Sequence, residues 1–370
     1  MDWRGCTWRV SRRDFLKGLG GGLVATEADG ADTVRVQTVR GKDAPDSPFF
    51  LTRGVVLVIQ DLRTLDWPER AWRAGLTTLA THIFPHEVAA FIQSEAGQTF
   101  LRRCGELGLH VEHELHAMSD LLPRQLFEQD PTMFPMNEKG DRVREYNLCV
   151  HSQAAVQVAC ENAAKYTRIL RSTTGRYFYW IDDGRPMCRC PKCRGLSDSD
   201  QALLLENRLL EAIRQVDSQA RLAHLAYART LEPPKQVRPA DGIFLEFAPI
   251  ERRYDVPLSR RDAQSLGGLT HGRLLDALDA NLAWFGSEGA QVLEYWLDVS
   301  RFAGWKRQNV RPVPWNDEVF GDDLATYGRR RIRHITTFAA WIDGEYVRRF
   351  GDPPVERYGA SLQGYAARDM

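Results

Sequence analysis

From Gly54 to the end of the chain, short apolar runs rich in β-branched and aromatic residues alternate with stretches of helical spacing. This alternation constrains the fold more than any other feature of the sequence. The first run, Gly54-Val-Val-Leu-Val-Ile-Gln60, is continuously apolar, as a strand buried on both faces should be. Further strands are predicted at 76–84, 110–116, 177–181, 221–227, 243–247, 291–297 and 334–341. Between them, helices are predicted at 68–74, 86–107, 152–171, from the Ser197-Asp-Ser-Asp200 cap to 216, through Leu274–Phe285, and at 322–331. Helices near Glu345 and over 355–365 close the chain, and 119–148 reads as irregular. Eight strands with intervening helices are what an α/β fold of the (β/α)8 TIM-barrel type demands. An open doubly wound sheet would carry a glycine-rich phosphate turn after its first strand. Here Gln60-Asp-Leu-Arg63 follows instead.

The chain of 370 residues is 43% hydrophobic and 26% charged, a composition that excludes disorder and supports a large buried core. Lys+Arg 49 balances Asp+Glu 49, which argues against nucleic acid as the main partner. No apolar stretch reaches membrane-spanning length. Ser11-Arg-Arg-Asp-Phe-Leu-Lys17 resembles the bacterial twin-arginine export signal. The expected organisation is therefore a signal segment at 1–28, a polar linker at 29–48 and a barrel at 49–370. That organisation implies passage through the twin-arginine machinery to the periplasm or beyond.

In such a barrel, working residues gather at the C-terminal ends of the strands. The sequence places His82 and His86 at the end of strand two, and Glu112, Glu114 and His116 on strand three. Trp180 and Asp182-Asp183-Gly184 close strand four, Tyr227 closes strand five, and strand six holds Glu246. Glu294, Tyr295, Trp296 and Asp298 lie on strand seven, and Trp341 and Asp343 end strand eight. Carboxylates and aromatic rings at one rim suit glycosidic chemistry: one carboxyl protonates the leaving oxygen and a second acts at the anomeric centre. Flat rings such as Trp180, Trp296 and Trp305 can stack on sugar C–H faces. Asp182-Asp183-Gly184 also reads as a simple turn. Glu246, inside Ile-Phe-Leu-Glu-Phe-Ala, is costly to bury unless partnered. Glu294, Trp296 and Asp298 share a face by period 2, which either lines the mouth or sets Glu294 against a buried arginine.

Several ordered motifs together resemble a bacterial glycoside-hydrolase-like domain-of-unknown-function family of the DUF4838 type. They are Glu112-His-Glu-Leu-His116, Leu121-Leu-Pro123, Asn147-Leu-Cys149, Tyr179-Trp-Ile-Asp-Asp-Gly184, Cys188-x-Cys190-x-x-Cys193, Ser199-Asp-Gln201, Ala226-Tyr227 and Glu294-Tyr-Trp-Leu-Asp298. The resemblance implies a barrel related to those of hexosaminidases and α-glucuronidases, with the acid after strand four, here Asp182 or Asp183. Hexosaminidases carry a Glu in that pair, so Asp183 departs from them. The α-glucuronidase pattern places the partner carboxylate at Glu246. On this footing Asp183 is the expected general acid, Asp182 its modulator or substitute, and Glu246 the general base. Glu294 and Asp298 are reserve partners, and His116, Trp180, Tyr227, Tyr295 and Trp296 the groups expected to hold the sugar.

Of seven cysteines, three crowd into Cys188-Arg-Cys190-Pro-Lys-Cys193. Cys190 and Cys193 have the spacing of half a zinc site; Cys188 could add a third ligand and Cys149 or His151 a fourth. A disulfide in an exported chain, or plain thiols, fit the same residues. The function expected is cleavage of O-glycosidic bonds in oligo- or polysaccharides, with no cofactor needed for catalysis and zinc only as a structural element. The rivals are a catalytically silent carbohydrate-binding barrel and a zinc-dependent hydrolase using the histidines and carboxylates.

Overall fold

The computed structural model describes residues 48–366 except 266. The export motif at 11–17 and the signal and linker segments, up to residue 47, lie outside the described residues. Within them, eight parallel strands close into a barrel in sequence order. They are β1 (Thr52–Val58), β2 (Thr78–His82), β3 (His110–His116), β4 (Arg176–Trp180), β5 (Arg221–Ala226), β6 (Ile243–Phe247), β7 (Gln291–Glu294) and β8 (His334–Phe338). Closure is made by β8 against β1, in the register Thr52↔His334 to Val56↔Phe338. Among the described residues, no helix is long and apolar enough to cross a membrane.

Local chemistry explains where the elements begin and end. Ser152 caps the helix Gln153–Ile169, accepting from Ala155 N, and its Ala155, Ala159 and Ala163 are buried on one face. Ser197 and Asp200 form a reciprocal capping box at the start of Asp198–Arg214. The long helix predicted over 86–107 is in fact two, Pro85–Gln93 and Glu95–Glu106. Ser94 is extended between them and caps the second, and Gly97 lies so close to Phe91 that a Cβ would stand 2.0 Å from the Phe91 carbonyl. A straight helix cannot make that contact. Strand β7 stops at Glu294, three residues before the predicted end, because Asp298 caps the short helix Val299–Phe302. Strand β8 stops at Phe338, and Trp341 beyond it turns through a left-handed φ of 69° while Asp61 Oδ2 accepts its N–H at 3.1 Å.

The barrel interior holds a polar layer where branched apolar side chains are the norm. Arg176 Nη2 donates to Gln291 Oε1 at 3.0 Å, and Arg176 Nε stands 3.8 Å from Glu112. Gln291 Nε2 lies within hydrogen-bonding distance of Glu114 (3.2 Å), Glu246 (3.0 Å) and Thr336 (3.3 Å). Three buried carboxyls face a single guanidinium. Burial raises the pKa of all three, Glu246 to about 8, with the Arg176 guanidinium opposing the shift in each.

Candidate active site

A cavity of about 1720 Å³ opens at the C-terminal ends of the strands, where the fold places chemistry. Its floor is aromatic. Trp180 at the end of β4 lies 5.7 Å from the His82 ring and 5.2 Å from His116, and Tyr295 stacks on Phe338 at 5.3 Å. His116 Nδ1 lies 3.1 Å from the Ile181 carbonyl, so that nitrogen carries the hydrogen and donates. Burial, then the neighbouring His116, lower the pKa of His82 to about 3, so its ring stays neutral. Its Nδ1 donates to the Glu114 carbonyl at 2.7 Å. Trp305, 64% exposed and held at a left-handed φ of 55°, stands on the rim, as does Trp341 beneath the Arg307 guanidinium.

The two aspartates after β4 have different surroundings. Asp182 accepts from Arg124 Nη2 at 2.6 Å and from the backbone N–H of Asn147, and its own N–H donates to Asn147 Oδ1 at 2.9 Å. Arg124 also donates to the Asn147 carbonyl at 2.9 Å, so one guanidinium clamps both residues. Asp183 is exposed on the cavity wall. The Tyr227 hydroxyl faces it, and burial together with the Asp183 charge raises the Tyr227 pKa, keeping the phenol protonated as a donor.

Asp298 also reaches the cavity, although only 4% exposed. Its Oδ1 accepts from Ser300 Oγ at 2.5 Å and from Arg301 N at 3.1 Å. Burial nevertheless raises its pKa above the usual carboxylate range, the hydrogen bonds opposing in part.

Three residues expected at the mouth lie elsewhere. Glu246 belongs to the polar layer beneath the floor: Trp180 Nε1 donates to its Oε2 at 2.7 Å, and the side chain is fully buried. An inward position on β6 gave Glu246 the right face but too deep a level. Glu294 is fully buried against Arg252, 2.9 Å from Nη1, and also accepts from the Tyr327 hydroxyl. Burial raises its pKa, opposed by Arg252, which its two carboxylate partners keep charged. Trp296 turns away from the mouth, donating to Asp323 at 3.0 Å and packing edge-on against Phe320. Asp323 in turn accepts from Arg252 at 2.6 Å, so this network ties β7 to the loop after β6 and to the helix Asp317–Gly328. Arg252 and Asp323 have no periodic signature, and only the alternative of a buried arginine partner for Glu294 pointed towards them.

The structure also gathers Cys149, Cys188, Cys190 and Cys193, all buried, with their four Sγ atoms within 4.8 Å of one another. Among the described residues, this is the group of side chains able to hold a metal ion; the histidines and carboxylates of the mouth form none. Cys149 lies 3.8 Å from both Cys190 and Cys193. A tetrahedron of thiolates around zinc, with bonds of about 2.3 Å, has edges of about 3.8 Å, so the donor set fits that ion. His151 Nδ1 approaches Cys193 Sγ at 3.2 Å.

The family described as Domain of unknown function (DUF4838) matches residues 56–270. No curated protein matches the chain. Among solved structures, the β-N-acetylhexosaminidase of Bacteroides fragilis superimposes with a TM-score of 0.53 at 12% identity, covering 88% of this chain and 68% of that one. A glycoside hydrolase family 5 enzyme of Prevotella bryantii gives 0.45 at 9% identity, covering 84% and 95%. An exo-β-1,4-mannosidase from an Opitutaceae bacterium gives 0.42 at 13% identity, covering 87% and 60%. At such identities, the first likeness speaks to the fold and the other two carry no argument.

Proposed function

Because the chain belongs to the domain-of-unknown-function family DUF4838, its chemistry has to be read from its own residues, and we propose that it hydrolyses O-glycosidic bonds in oligo- or polysaccharides. One observation carries this reading: two carboxyls on different strand ends, Asp183 after β4 and Asp298 after β7, line one aromatic-floored cavity in contrasting environments. Glycoside cleavage needs such a contrast, with one carboxyl holding a proton and the other ionised. Asp298 suits the first task. Burial raises its pKa, and with Oδ1 engaged as an acceptor, Oδ2 carries the proton to the leaving oxygen. Asp183 suits the second, acting at the anomeric centre directly or through water while the Tyr227 hydroxyl steadies it. This gives Asp183 the task first expected of Glu246 and gives Asp298 the acid role first expected of Asp183. Asp182, held by Arg124 and Asn147, positions the loop. Trp180, His116 and Tyr295 floor the sugar site, and Trp305 stacks at the rim.

In this reading, Cys149, Cys188, Cys190 and Cys193 hold a structural zinc ion that takes no part in bond cleavage. The twin-arginine motif directs the chain to the periplasm or medium, and fractionation showing only an uncleaved cytosolic product would contradict export. The catalytic roles are tested by pH profiles of Asp183→Asn and Asp298→Asn. Asp298→Asn should remove the alkaline limb, and each variant should lower turnover by about 10²–10⁴-fold. An intact alkaline limb in Asp298→Asn, or undiminished turnover in Asp183→Asn, overturns the assignment.

A further inference from the structure

The loop that carries Asp183 and the one that packs beside it have little regular structure. Residues 181–196 contain no helix or strand, and 122–152 contain only short 3-10 turns and one isolated bridge, Met136↔Arg142. The four cysteines, with Met136 and Val150 packed on them, form a buried cluster separate from the main core. Cys149 comes from the loop that follows β3 and the other three from the loop that follows β4, so the cluster joins two segments distant in sequence.

Two residues before Cys149, Asn147 is fully buried at a left-handed φ of 43°. It reaches the β4 loop on both sides of Asp183. Its Oδ1 accepts from Asp182 N at 2.9 Å, and its Nδ2 donates to the carbonyl of Pro186 at 2.9 Å. On the far side, Cys188 Sγ accepts from Met136 N at 3.3 Å and from Cys190 N at 3.4 Å, as thiolates bound to metal commonly do. The path from the sulfurs to the aspartates is therefore continuous: Cys149, Asn147, Asp182, Asp183.

We propose that zinc held by Cys149, Cys188, Cys190 and Cys193 is the tether that fixes the Asp182–Asp183 loop, with Asn147 as the positioning residue that transmits the constraint. The kinetic consequence rests on the reading of Asp183 as a catalytic carboxyl; the ordering of the loop does not. Four thiolates crosslinking two loops remove their freedom in the unliganded protein, so the carboxylate is in place before a sugar arrives.

The test measures zinc content and hydrogen exchange together on the full chain. The native protein should hold about one zinc per chain, seen also as thiolate–cobalt absorption after exchange with Co²⁺. Stripping by chelator, or Cys188→Ser, should raise exchange about tenfold or more in peptides covering 145–151 and 181–194, with β1 and β8 unchanged. Added zinc should restore the stripped wild type. Asn147→Ala should keep the metal yet loosen 181–186 and lower kcat with KM little changed. Unchanged exchange in both segments after complete metal loss overturns the tether. So does a metal-free native chain in which the four cysteines are joined as two disulfides and give no thiol titre until reduced. Should no glycoside be cleaved at all, only the kinetic arm falls with the hydrolase reading, and the exchange result still decides the tether.

Discussion

Trp180 donates its indole N–H to Glu246 Oε2 across 2.7 Å, so the ring that floors the cavity also seals the carboxyl beneath it. Glu246 is thereby a member of the barrel core and not of the reacting surface, and its titration belongs to stability.

That titration has a definite sign. Burial lifts the Glu246 pKa from 4.5 to about 8, so the folded chain keeps a proton that the unfolded chain has released. The contribution is complete below the unfolded value and is lost as pH rises through about 8. Asp61, raised from 3.8 to about 8 by burial, acts in the same direction. Urea unfolding of the wild type should therefore show stability falling between about pH 5 and about pH 8, with a shallower slope for Glu246→Gln. Parallel curves for the two proteins would remove Glu246 from this role.

Arg252 bridges Glu294 and Asp323 with all three side chains fully buried. Breaking such a network from one side leaves an uncompensated charge, so Arg252→Met should destabilise the fold by about 3–5 kcal/mol. Glu294→Gln, which keeps an acceptor for the Tyr327 hydroxyl, should cost less. Chemical denaturation of both variants checks the order, and equal costs would contradict it.

Trp305 is 64% exposed, so its removal should leave stability within about 0.5 kcal/mol of wild type. As a stacking platform at the rim it should hold ground and transition states alike. Trp305→Ala is then expected to raise KM by about tenfold with kcat little altered, read by steady-state kinetics. A loss confined to kcat would place the ring in the chemistry instead.

How much of this was legible in the sequence varies with the physics involved. Strands β3 and β6 fall on their predicted residues, because the ring of pairing partners forces their apolar runs into the wall. Period 2 gave the inward face of Glu246 but not its depth, since depth depends on the stagger of neighbouring strands. It gave a shared face for Glu294, Trp296 and Asp298 only on the assumption that β7 continued. The strand stops at Glu294, and beyond it the chain turns Trp296 into the helical layer and Asp298 into the cavity. Cys188, Cys190 and Cys193 announced themselves by spacing. Cys149 joins Cys190 from 41 residues away, through two irregular loops whose path no periodicity encodes. Likewise Asp182 and Asp183 are alike in sequence and differ only because Arg124 and Asn147 reach the first.

The most direct measurement is hydrolysis of a panel of aryl glycosides and oligosaccharides by wild type and Asp183→Asn, with sugar binding followed by calorimetry on the same samples. The account expects the wild type to cleave at least one member, and Asp183→Asn to bind that sugar with turnover reduced by at least about 10²-fold. Equal turnover in the two proteins, or a wild type that binds sugars across the panel and cleaves none, would contradict it.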